Sequence, residues 1–115
     1  MTLYKKIYDT LKKDDILVYP PAVKKGICTY PYVVLEQSKA LLNNNHSGKL
    51  IFSITILAPV GQYADFLTLI ENVRQSISYI APEIKFLSIS DEKIDSDFTA
   101  YSTVINFFAL KRTNV

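Results

Sequence analysis

Between Leu50 and Ile80 the apolar residues change their period once, and that change restricts the fold more than any other feature of the chain. Leu50, Phe52, Ile54 and Ile56 alternate with Ser53 and Thr55, the two-residue repeat of a strand with one face on a core. Beyond Pro59 and Gly61 the apolar positions become Phe66, Leu69, Ile70, Val73, Ile77 and Ile80. These line one face of a helix of about five turns at 3.6 residues per turn. Pro82 marks its end. A half-buried strand that leads into a long amphipathic helix needs a sheet with a helix laid on it.

Leu3, Ile7 and Leu11, flanked by Tyr4 and Tyr8, predict a first helix that turns Lys5, Lys6, Asp9, Lys12 and Lys13 to water. It ends near Asp14 and Asp15. Ile16 to Tyr19 reads as a short strand, stopped by Pro20 and Pro21, which cannot donate to a ladder. Residues 22–29 read as a loop. Tyr30 to Glu36 is rich in β-branched and aromatic residues and reads as a strand entered through Pro31.

Asn43 to Gly48 reads as a turn, so that this strand and the one from Lys49 to Leu57 form a long hairpin with a projecting tip. Past the long helix, Ile84 to Ser90 predicts a strand, residues 91–97 an acidic loop, and Phe98 to about Lys111 a long final strand. In that strand Ala100, Ser102, Val104, Asn106 and Phe108 share one face, and Tyr101, Thr103, Ile105 and Phe107 the other. The order α-β-β-β-α-β-β predicts one α+β domain over residues 1–115. It should have a mostly antiparallel sheet of about five strands with two helices packed on one face.

Composition narrows the function classes. In 115 residues, 49% hydrophobic and 21% charged, there is room for one core and no second domain. A net charge of +2, with the basic residues scattered, gives no stripe for nucleic acid. The N-terminus lacks the apolar core of a signal peptide. The longest apolar stretch, near Leu50 to Val60, is interrupted by Ser53, Thr55 and Pro59 and is too short for a bilayer. A soluble product made in the cytoplasm, with no membrane partner, is expected.

Groups able to do chemistry are few. His46 is the single histidine and lies in an asparagine-rich loop, so no two- or three-histidine zinc site can form. Cys28 is the single cysteine, which rules out an internal disulfide, and nothing flanking it suggests a nucleophile paired with His46. Asp91, Glu92, Asp95 and Asp97 cluster, but without the central glycine and closing glutamate of a calcium loop. Gly26, Gly48 and Gly61 stand too far apart to cradle a phosphate. No catalytic residue, metal ligand or cofactor is expected. Charge is uneven: residues 1–26 hold six lysines and three acids, residues 83–97 five acids and two lysines. Opposite patches of this kind can meet within a domain, join subunits head to tail, or be a chance distribution on a solvated surface.

Two stretches carry a family resemblance. The opening helix through Ile16-Leu17-Val18-Tyr19-Pro20-Pro21, and the strand Tyr30-Pro31-Tyr32-Val33-Val34-Leu35, resemble the tail terminator family of long-tailed phages and phage-tail-like particles. The polar hairpin, the strand Leu50 to Leu57 and the helix Gln62 to Ile80 continue the likeness over most of the chain. The resemblance implies a hexameric ring that caps the head-proximal end of a tail tube, stops its polymerisation and joins tail to head. The implied partners are further copies of the chain, tail tube protein, a head connector or collar protein and, in contractile systems, tail sheath. The implied location is the neck of a virion or tail-like particle assembled in a bacterial host. Such a task needs shape and complementary edges and no catalytic group. The hairpin tip is then the expected interface, with Leu41, Leu42, Asn43, Asn44, Asn45 and His46 at its centre.

Overall fold

The computed structural model describes residues 2–41, 48–80 and 83–111. The elements are α1 (Leu3–Lys13), β1 (Val18–Tyr19), β2 (Tyr32–Leu41), β3 (Gly48–Pro59), α2 (Tyr63–Ser78), β4 (Lys85–Ile89), β5 (Lys93–Asp95) and β6 (Ala100–Lys111).

Helix α1 starts at Thr2, whose side chain accepts from the Lys5 backbone N–H and satisfies one of the free donors of the first turn. Lys12 and Lys13 sit in the last turn, where cations suit the negative end of the helix dipole. The helix stops because Asp15 takes a left-handed conformation (φ 63°). The Ile16 N–H then reaches the Leu11 carbonyl at 3.1 Å and the Asp15 N–H the Lys12 carbonyl at 3.1 Å. This is the Schellman stop, made with aspartate where glycine is usual. Its apolar contact is present too, since Ile16 and Leu11 share one core cluster.

The strands form one sheet in the order β1-β2-β3-β6-β4, with β5 also on β6. Because β3 pairs with β6 along its length, from Gly48↔Lys111 to Pro59↔Ala100, β4 and β5 share the other side of β6 as one interrupted edge. The α+β class and the mostly antiparallel sheet hold, with two differences of detail: a sixth strand, β5, and one parallel pair. The sheet is mixed, because β1 pairs with β2 in parallel (Val18↔Val33, Tyr19↔Val34). A parallel neighbour requires a crossover, and residues 20–31 provide it. The acidic loop carries β5, whose Lys93, Ile94 and Asp95 pair with Ser102, Tyr101 and Ala100.

Register explains which side chains are buried. Val33, Leu35, Phe52, Ile54, Ile56, Ile105 and Phe107 fall on one face and meet Ile7 and Leu11 of α1 and Phe66, Val73 and Ile77 of α2. All six apolar positions predicted for the long helix lie in or against this core. At about 25 cal/mol per Å² of apolar surface removed from water, it is the main stabilising term of the domain. Ser76 is a buried polar side chain on α2, and its hydroxyl bonds to the Asp14 carboxylate just past α1, tying the two helices together.

Among the described residues the opposite face is covered only at one end. There the crossover lays Cys28 over Tyr32, Leu57 and Ala100, with Tyr19, Tyr30, Val34 and Phe98 packed around them. Farther along, a polar ladder crosses three strands: Ser53 to Asn106 at 2.7 Å and Asn106 to Ser88 at 3.1 Å. Those side chains satisfy one another and tolerate water.

Candidate interaction surface

Three surface regions have enough character to be functional: the hairpin end, the crossover and the β4–β5 edge. Of the residues predicted to form the interface, Leu41 closes β2 opposite Gly48. Leu42, Asn43, Asn44, Asn45 and His46 lie outside the described residues. β2 runs five residues beyond the predicted Glu36, so the hairpin is paired as far as Leu41. Glycine at 48 starts β3 rather than ending the turn.

The crossover is organised around one lysine. Lys24 Nζ sits 5.2, 4.7 and 5.6 Å from the ring centres of Tyr19, Tyr30 and Tyr32. It donates to the Tyr30 hydroxyl at 2.7 Å, and that oxygen lies 2.9 Å from the Tyr19 hydroxyl. The hydrogen bond from Lys24, reinforced by the one from Tyr19, lowers the Tyr30 pKa; the same bond to Tyr30 raises that of Lys24. Tyr19 is raised, chiefly by its bond to Tyr30. Beneath them the Cys28 thiol is buried, bonds the Tyr30 carbonyl at 3.1 Å, and is pushed up in pKa by burial. A buried, protonated thiol is a poor nucleophile. Every group of this cluster finds its partner inside the chain.

The β4–β5 edge is built differently. Phe86, Leu87, Ile89 and Ile94 are 46%, 42%, 41% and 62% exposed. Phe86 pairs with Phe107 and Ile94 with Tyr101, which sets both on the helix side of the sheet. A bulge between Phe86 and Ser88 shifts the register. Ser90 then pins the strand back, donating to the Val104 carbonyl at 2.9 Å and accepting from the Val104 N–H at 2.9 Å.

Between α2 and β4 lies an open groove of about 410 Å³, lined by Arg74, Ile77, Ser78, Ile84, Lys85, Phe86 and Phe107. The Arg74 guanidinium sits 5.2 Å over the Phe86 ring. Neither Arg74 nor Lys85 has a carboxylate partner among the described residues.

The acidic segment does not gather into a chelating site. Glu92 accepts from the Tyr63 hydroxyl at 2.6 Å, which raises the pKa of Tyr63. Asp95 accepts the Asp97 backbone N–H at 3.0 Å, a local turn. Among the described residues no group of three or more His, Cys, Asp or Glu side chains is placed to hold a metal ion. The uneven charge resolves only in part within the monomer: Lys6 pairs with Glu83 and Lys5 with Asp9 at 2.8 Å.

Sequence reasoning missed Phe86, Ile94 and Arg74 as surface residues. One signal was present. Phe86, Leu87 and Ile89 put apolar residues at both parities of a short strand, more than a single buried face can use. No protein-family model matches this chain, and no curated protein matches it.

Proposed function

We propose that this protein is a non-catalytic structural subunit that works by self-association, as a tail terminator. In this reading a ring of copies, hexameric by resemblance, caps the head-proximal end of a phage or phage-like tail tube. It halts tube growth and presents a surface to the head connector or collar and, in contractile systems, to the sheath. The observation that carries the self-association is the β4–β5 edge, where four large apolar side chains are exposed on the outermost strand segments. Natural sheets blunt or cover such edges, because an unpaired apolar edge invites another chain. Opposite charge along the same edge suits a heterologous contact, which closes into a ring when the rotation permits.

Light scattering behind a sizing column, over a range of concentrations, tests the reading. The expected species is a closed oligomer near six subunits, and purified protein is expected to stop the elongation of tube protein in vitro. A monomer or dimer that leaves tube elongation unchanged overturns the terminator reading. That result favours a different neck protein or a small adaptor module.

A further inference from the structure

The two ends of the β4–β5 edge are complementary and cannot reach each other. At one end the groove between α2 and β4 offers an apolar floor, Ile77, Ile84, Phe86 and Phe107, under the cations Arg74 and Lys85. At the other end Ile94, 62% exposed, lies in a segment that holds Asp91, Glu92, Asp95 and Asp97 against the single cation Lys93. An apolar anchor in a net-acidic segment is what a basic-rimmed apolar groove accommodates.

Within one molecule the two are held apart by the sheet. Phe86 is registered on Phe107 and Ile94 on Tyr101. Along β6 those positions are separated by roughly 20 Å, at about 3.3 Å per residue. Segment 93–95 is fixed by its pairing with β6, and Glu92 by Tyr63. The tip therefore cannot fold back into its own groove.

We infer that the Ile94 tip of one copy docks in the Arg74–Lys85 groove of a second copy. Ile94 occupies the apolar floor, and the flanking acids meet Arg74 and Lys85. The first copy then keeps a free groove and the second a free tip, as a head-to-tail contact requires. Ring closure rests on the terminator reading; the contact itself does not.

Three variants test the contact. Arg74→Glu with Lys85→Glu reverses the groove, Asp91→Lys with Asp95→Lys reverses the tip, and the third variant combines all four changes. Sedimentation velocity is run on each beside the wild type, with circular dichroism as the check on folding. Each reversal alone is expected to weaken association more than about tenfold, and the combination to restore it, because the charges then match again. Ile94→Ser is expected to weaken association with an unchanged unfolding midpoint, since the side chain is already mostly in water.

Assembly that is unaffected by either reversal overturns the inference and leaves the ring reading standing. A two-subunit species that both reversals dissolve keeps the contact and leaves the ring to be decided by the tube-elongation assay. A wild-type monomer at every concentration overturns the contact, and the ring reading falls with it if tube elongation is also unchanged.

Discussion

The crossover and the β4–β5 edge each place a cation over aromatic rings, and they end in opposite states. Lys24 is enclosed by Tyr19, Tyr30 and Tyr32 and bonds a hydroxyl of the set. Among the described residues Arg74 lies over the Phe86 ring only, and it faces an open groove. The first arrangement is complete and serves the fold, holding residues 20–31 across one end of the sheet. The second leaves apolar surface and charge unmatched. A cation over aromatic rings thus reads as architecture or as interface according to whether the chain supplies all the partners.

The largest effect that separates the two regions is on stability. Tyr32 is 2% exposed and packs beneath the crossover, so Tyr32→Ala is expected to cost about 3 kcal/mol, read as a lower urea midpoint. It should also expose Cys28 to thiol reagents, with which the folded wild type is expected to react slowly. Phe86→Ala should do the reverse: association falls while the unfolding midpoint moves by less than about 1 kcal/mol. An equal stability loss in both variants would erase the distinction between the regions.

Smaller effects sharpen it. Thr2→Ala removes the α1 cap and should cost about 1 kcal/mol of stability and lower the helix content slightly, with no effect on association. Asp15→Gly should stabilise the fold by about 0.5 kcal/mol, because glycine takes the left-handed conformation at the helix stop without the Cβ clash. A loss of stability in that variant would show that the Asp15 side chain has a role the helix stop does not require.

Alkaline titration gives the finest test. Burial raises Cys28 and Tyr32, so their folded pKa values lie above the unfolded ones. Their contribution to stability is complete below the ordinary thiol and phenol ranges and falls as pH rises through the folded values. Tyr30 has the opposite sign, being lowered mainly by Lys24: its contribution grows as pH rises and is lost as pH falls. Phenolate absorbance should therefore show one tyrosine ionising ahead of the rest. Lys24→Met should abolish that early phase, whereas Arg74→Met should leave it unchanged.

Much of the fold was legible from periodicity, because the helix and strand repeats act over a few residues. Ile7, Leu11, Phe52, Ile54, Phe66 and Val73 were assigned to the core from spacing alone, and all are fully buried. The two faces of the last strand were separated correctly as well. The Schellman stop was hidden, since it uses aspartate at position 15 in place of the usual glycine signal. The parallel β1–β2 pair was hidden for a different reason: two residues carry too little pattern to fix a direction.

Charge shows the same division. The lysine-rich start and acid-rich segment were visible as counts, but counts do not say which charges meet. Folding pairs Lys6 with Glu83 and Lys5 with Asp9, and among the described residues it leaves Arg74 and Lys85 without a carboxylate partner and Ile94 exposed. The sequence by itself determined the α+β class, the helix faces and the central strand, since each follows from the local alternation of apolar and polar residues. Only the tertiary structure decided the partners of Lys24 and the opposite fate of Arg74. Those depend on side chains distant in sequence, brought together or held apart by strand register.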